Sequence, residues 1–392
     1  MGSSWQKFLK ELPPRTGLKR TMRSQPNSKP AGDRPEVWLL SAYHTASHAS
    51  WANWLMESQP QIKWQFFELP GSKFPWRIRS NPLSWLNELP GSSPDLILAT
   101  SMVDLATLKG LHPRLAEVPS WYYFHENQFA YPESKKLSKS VEHQMVQLYG
   151  ALAADRLFFN SQFNRNSFLS GVKKLLRNKT EVDQPEISRR LKQKCELLPI
   201  PVEPISSTQT KQPGLILWNH RWEYDKVPEV FGEALLMLAK RGVPFKLALL
   251  GDRSEKSYQS LLKIREQLPE NIVADEHADR STYKKILAKA EIVVSTAIHE
   301  FQGLAMLEAA GAGARPLVPD ALCYPEQYGK EYRYRPGSPD SLASKLEKWL
   351  TAGLPEPADV SYWHSRALKD EWNQIFKDLD VLDEDSDADQ IT

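Results

Sequence analysis

Short apolar runs that end in polar residues recur along this chain with helical stretches between them, and the pattern occurs twice. The first set is Glu36–Ser41, Asp95–Thr100, Trp121–Phe124 and Arg156–Asn160, with a helix predicted over Glu142–Ala153. Continuous apolar runs suit strands covered on both faces, and strands alternating with helices predict a parallel sheet. Residues 171–194 are charged and lack clear periodicity. Leu197–Val202 and the Ser/Thr/Gln/Pro stretch to Pro213 read as a linker. The pattern then restarts at Gly214–Trp218, Phe245–Leu250, Ile272-Val273 and Glu291–Ser295, with helices predicted over 227–241, 255–267 and 281–290. The expected class is α/β, two Rossmann-like domains facing a central cleft. In such sheets ligands sit beyond the carboxyl ends of the strands.

The 392 residues leave room for two cores. The expected division is a disordered basic head at 1–34, domains at 35–205 and 206–355, a helical segment at 356–377 and an acidic disordered tail at 378–392. The head holds eight basic side chains against Glu11 and Asp33, and the tail seven acidic ones and no basic one. Such blocks are usually solvated, although a basic arm also suits a phosphate backbone. With 41% hydrophobic and 25% charged residues the composition is that of a soluble globular protein. No apolar run is long enough for a membrane span, and the first thirty residues lack the apolar segment of a secretory signal. Cys195 and Cys323 are far apart and suggest neither a disulfide framework nor a zinc site, so a reducing cytoplasm is expected.

Four segments carry chemistry. In Ser295–Ala309 a strand ends, a polar turn bears His299 and Glu300, and a helix is predicted to begin near Gly303. Free N–H groups at a helix start suit a diphosphate, and glycine allows it close to the backbone. Glu300 and Glu308 are separated by about 12 Å at helical rise. Glu300 can then meet sugar hydroxyls and Glu308 ribose hydroxyls, with Phe301, Gln302, Gly303 and Leu304 along the diphosphate. Alternatively, both carboxylates merely favour a helix start. In Leu217–Lys226, Asn219 and His220 precede Arg221 and Lys226, a fork and a point charge suited to a pyrophosphate leaving group. Local pairing with Glu223 and Asp225 is the other reading.

His125, at the head of His125-Glu126-Asn127-Gln128, stands where it can contact a sugar, move a proton or serve a structural end. Lys73, Trp76, Arg77 and Arg79 interleave cations with an aromatic ring. That suits RNA, but equally an ordinary loop anchored by Trp76. No Asp-x-Asp pair stands at a strand end, so no metal and no cofactor are expected.

Glu300 and Glu308, with Arg221 and Lys226, resemble the Glu-x7-Glu motif and diphosphate-binding pair of the retaining glycosyltransferases of family 4. That resemblance implies the GT-B fold, with the second domain holding the donor. Phe124–Gln128, Phe159–Ser161, Leu217–Glu223, His299–Phe301, Ala305–Ala309, Tyr324–Glu326 and Trp76–Arg79 resemble more closely the tRNA-queuosine mannosyltransferase branch. This implies transfer of mannose from GDP-mannose to a queuosine cyclopentene hydroxyl at the wobble position of tRNA-Asp. It also implies a donor phosphate oxygen as base, and an acceptor side of Ser47, His48, Lys73, Trp76, Arg77, Arg79, Glu126, Asn127 and Gln128. One departure is that Thr45 and Ala46 stand where that branch carries two glycines, which narrows the approach to the cleft.

Overall fold

The computed structural model describes residues 34–131, 141–177, 179–205, 210–253 and 258–388. Apart from Arg34, the basic head lies outside them, as do residues 389–392 of the acidic tail.

The first sheet consists of β1 (Glu36–His44), β2 (Lys63–Pro70), β3 (Leu96–Thr100), β4 (Ser120–Phe124), β5 (Arg156–Phe159) and β6 (Cys195–Leu197). All pairs are parallel, in the order β2-β1-β3-β4-β5-β6. Val37 to Leu40 and Leu96 to Ala99 are wholly buried, with Val37 opposite Leu96 and Leu40 opposite Ala99. Both faces of these strands are therefore covered, which their unbroken apolar runs require.

The second sheet consists of β7 (Leu215–Trp218), β8 (Lys246–Leu249), β9 (Ile272–Asp275), β10 (Ile292–Val294), β11 (Arg315–Pro319) and β12 (Arg333–Tyr334). It is also parallel, in the order β12-β11-β10-β7-β8-β9. Each sheet has a place where successive connections leave in opposite directions: β1/β3 in the first, β7/β10 in the second. Crevices open there at the carboxyl ends. The molecule has the two-sheet α/β architecture of the GT-B fold.

Two stretches differ from expectation. Residues 171–194 are mostly helical, in Gln162–Leu175 and Gln184–Lys194, which are capped by the Ser161 and Asp183 side chains. Only Val172, Leu176 and Leu191 are buried among the described residues of that stretch, too few to give a readable period. At the other end, the Ser365–Ala388 helix runs past residue 378, where the acidic composition predicts disorder. No Gly or Pro interrupts it, and Trp372 and Phe376 anchor it on Trp121, Tyr123 and Phe158 of the first sheet. The chain therefore crosses back to its first half. The two crossings touch, because Val202 N–H donates to Trp363 O (2.8 Å) and Ser365 N–H to Val202 O (3.2 Å).

Candidate active site

Segments that follow β1, β4, β7 and β10 converge on one pocket of about 220 Å³. The first half supplies Ser47, His48, His125 and Glu126, and the second Arg221, Lys226, Glu300, Phe301, Gln302, Gly303 and Leu304. That volume is below the several hundred Å³ typical of a site for a whole drug-sized ligand.

On the second half, the turn after β7 places Lys226 against the turn after β10. Lys226 Nζ donates to Glu300 Oε2 (2.9 Å) and His299 O (3.1 Å), and lies 3.4 Å from Asp225 Oδ2. Burial disfavours its charge, but Glu300 and Asp225 more than offset this, so its pKa is raised. Burial likewise works against the Glu300 carboxylate. Lys226, His220 and the Gly303 N–H nevertheless hold its pKa down at about 2. Gly303 caps the Leu304–Gly311 helix at φ +68, and a Cβ there would lie 3.0 Å from Tyr324 Cε1. That backbone is made for glycine. The first N–H groups of this helix face the pocket with no side-chain cap. Arg221 is 54% exposed and reaches Glu223 Oε2 (2.8 Å), so the local pairing read from the sequence exists while the guanidinium still lines the cleft.

On the first half, the His48 and His125 rings lie with centroids 4.2 Å apart at a 35° tilt, and His125 also meets Trp51 and Tyr123. Burial first, then the neighbouring histidines, keeps both neutral: His48 falls to about 4 and His125 lies well below the usual range. His48 Nε2 and both His125 nitrogens are buried on the pocket wall with no hydrogen-bond partner among the described residues, so each is able to bond a ligand or water there. Thr45 Oγ1 shares a 2.8 Å hydrogen bond with His48 Nδ1, which fixes that ring. The Thr45 methyl also fills the space beside Gly71, where a Cβ would lie 2.8 Å from it. Glu126 accepts a hydrogen bond from Tyr131, whose ring lies 4.3 Å from His299 of the other half. Burial pushes the Glu126 pKa up, with the Tyr131 hydroxyl and Arg221 opposing.

Other expected site residues are elsewhere. Asn127 is wholly buried: its Nδ2 donates to Asn164 and Ser167, and its Oδ1 accepts from Phe129 and Ala130 N–H. Gln128 is tied to Gln147 through its own N–H (2.7 Å). Neither lines the cleft, because the loop after β4 turns into the protein behind Glu126. The Gln302 amide is engaged with Ile200, accepting its N–H (2.9 Å) and donating to its carbonyl (2.7 Å). Gln302 therefore clamps the linker. Asn219 Nδ2 donates to Tyr283 Oη (3.2 Å) and Ala305 O, and His220 is buried with its Nε2 unpartnered.

Glu308 lies outside the pocket lining, where its carboxylate meets Arg280 Nη2 (2.9 Å) and Tyr283 Oη (2.9 Å). Lys73, Trp76, Arg77 and Arg79 are on or beside the Phe74–Ser84 helix and not in a loop, because Pro75 stands at its first turn. Trp76 is 65% exposed, whereas Arg79 is bound to Asp104 and Glu142. Asn160, the polar end of the run Arg156–Asn160, also lines the pocket. Sequence reasoning did not find Tyr131 and Ile200 there, or Arg280 and Tyr283 beside Glu308, and nothing in their spacing marks them.

Residues 36–202 match the family described as tRNA-queuosine alpha-mannosyltransferase N-terminal, and residues 202–362 match glycosyl transferases group 1. The tRNA-queuosine alpha-mannosyltransferase of Drosophila melanogaster is 34% identical over 327 residues, covering 80% of this chain and 86% of the fly protein. The chain belongs to the tRNA-queuosine alpha-mannosyltransferase family.

Among solved structures, this family member is similar to sucrose-phosphate synthase from Thermosynechococcus elongatus. The TM-score is 0.68 at 12% identity, over 89% of this chain and 100% of the other. It is also similar to Anabaena HepE in complex with UDP and glucose, with a TM-score of 0.63 at 12% identity, over 88% and 100% of the two chains. At such identities the likeness is one of fold. The tRNA-queuosine alpha-mannosyltransferase relationship makes the chain a glycosyltransferase, with its pocket at the mouths of both sheets.

Proposed function

We propose that the enzyme transfers mannose from GDP-mannose to a queuosine cyclopentene hydroxyl at the wobble position of tRNA-Asp, with retention, in the cytoplasm. The observation that carries this reading is the Lys226–Glu300 pair beside an uncapped helix start, facing two neutral histidines of the other half. Arg221, Lys226 and the first N–H groups of the helix that follows Gly303, from Leu304 on, hold the diphosphate and neutralise it as it leaves. Glu308 takes ribose hydroxyls, with Arg280 and Tyr283 setting its orientation. Glu300 and His125 orient the mannose. Ser47, His48 and Glu126 face the acceptor, while Lys73, Trp76 and Arg77 meet its RNA. The acceptor oxygen bonds to the sugar's anomeric carbon as the bond to the diphosphate breaks, and its proton passes to a donor phosphate oxygen.

The test is incubation with a panel of radiolabelled nucleotide sugars and tRNA that contains or lacks queuosine. Label from GDP-mannose entering only the queuosine-containing tRNA is the expected result. Equal labelling of both tRNAs would refute the acceptor, and preference for another sugar nucleotide would refute the donor.

A further inference from the structure

A second depression, of about 430 Å³, lies away from the cleft, lined by Asp320, Lys330, Arg333, Arg335, Ser341 and Lys345 among others. Four of these are cations and one is an acid. Arg333 is committed to Asp320 and to the Gly329 carbonyl, and among the described residues the Arg335 side chain reaches only the hydroxyl of Ser338 (3.1 Å). Lys330 and Lys345 form no ion pair among the described residues. Lys345 is half-buried, and burial and Lys348 press its pKa down against the opposing pull of Glu331. Lys330 and Arg335 are exposed beside the half-buried Lys345, and a depression with four cations against one acid attracts an anion.

The position of this depression identifies which anion. Asp320 follows β11, Arg335 follows β12, and both strands run parallel to β10 in the order β12-β11-β10. The basic depression therefore opens on the same edge of the sheet as the catalytic turn. At about 4.8 Å per strand it lies one to two strands, on the order of 10 Å, from the end of β10. Tyr334, on its wall, donates its hydroxyl to Ser295 O (2.9 Å) and ties it to that turn. An acceptor carried on a polynucleotide brings phosphates on both sides of the reacting residue, and these must run along the edge of the cleft.

We propose that Lys330, Arg335 and Lys345 grip phosphates of the tRNA strand flanking the nucleotide in the cleft, so that the donor-side half also binds the acceptor. This rests on the tRNA acceptor reading above.

The experiment compares the full chain with the single variant Lys330→Gln and the triple variant Lys330→Gln/Arg335→Gln/Lys345→Gln, using queuosine-containing tRNA. Lys246→Gln, at the amino edge of the same sheet, is the control. The expected result is a rise of KM for tRNA of about 3-fold in the single and 10- to 30-fold in the triple variant. The donor KM, kcat and the melting temperature stay unchanged. The log–log salt dependence should become shallower by about 0.7 to 0.9 per lost phosphate contact. A tRNA KM and salt slope equal to wild type in the triple variant, or an equal loss in Lys246→Gln, would overturn the proposal. Failure of the wild-type chain to label any tRNA strikes instead at the acceptor reading.

Discussion

Lys226 and Glu300, from turns on either side of one sheet crevice, meet at 2.9 Å in the wall of the cleft. Lys226 is therefore both a candidate phosphate ligand and half of a buried pair, whereas Arg221 stands half-exposed at the rim, paired with Glu223 at the surface. The two cations differ in what their removal costs. Lys226→Ala leaves Glu300 uncompensated and should destabilise the fold by about 3 kcal/mol while abolishing turnover. Arg221→Ala should lower kcat about 100-fold with a melting temperature within a degree or two of wild type. Paired thermal melts and single-turnover assays separate the two.

Acid stability follows from the same region. Glu300 titrates at about 2, below its usual value of 4.5, because Lys226, His220 and Gly303 outweigh burial. The stabilisation is present above pH 4.5 and lost as pH falls through 2. It amounts to about 3 kcal/mol at 1.36 kcal/mol per unit. His48 and His220, lowered by burial from 6.5 to about 4, produce an earlier loss between those two values, because the unfolded chain binds those protons first. Urea midpoints should decline in two stages. Glu300→Gln is expected to flatten the lower one and, because Glu300 pulls the His220 pKa up, to spread the upper one toward lower pH.

Glu326, in the second half, accepts hydrogen bonds from the N–H groups of Gln162 (2.8 Å) and Phe163 (3.1 Å) at the start of a helix in the first. It acts as a capping carboxylate supplied across the cleft. Glu326→Ala should speed hydrogen exchange of those two amides at least 5-fold and cost about 1 kcal/mol. Unchanged exchange would show that other contacts alone hold the halves together.

Thr45→Val keeps the methyl beside Gly71 but leaves His48 Nδ1 buried without its partner. A loss of about 1 to 3 kcal/mol in stability or transition-state binding is expected. Thr45→Ser, which keeps the hydroxyl, should retain most of the activity. If both variants behave alike in kcat/KM for the acceptor, the hydrogen bond does not orient His48.

Sequence made legible what depends on local pattern. The runs at Leu96–Thr100 and Trp121–Phe124 announced buried strands because both faces are covered, and Glu142–Ala153 announced its helix. β2 was passed over, since Lys63–Pro70 is only half-buried and mixes polar with apolar residues. Lys226, Glu300, His48 and His125 could be named because each follows a strand, where crevices form. What stayed hidden were polar contacts between distant segments, Gln302 with Ile200 and Glu326 with Gln162. For the same reason Asn127 and Gln128 looked available while the fold uses both internally.

The Ser365–Ala388 helix has a consequence for biogenesis. Trp372 and Phe376 complete the cluster built on Val37, Leu39, Trp121 and Phe158. During synthesis the first half leaves the ribosome long before those aromatic residues exist. Trp51, Ala52 and Leu55 cover part of that face of its sheet early, but the part over Trp121 and Phe158 must wait until nearly the whole chain has been translated. A nascent polypeptide in that interval is a natural client for a chaperone that shields apolar surface, and a frameshift or early stop after the second half would leave that client permanently unfinished.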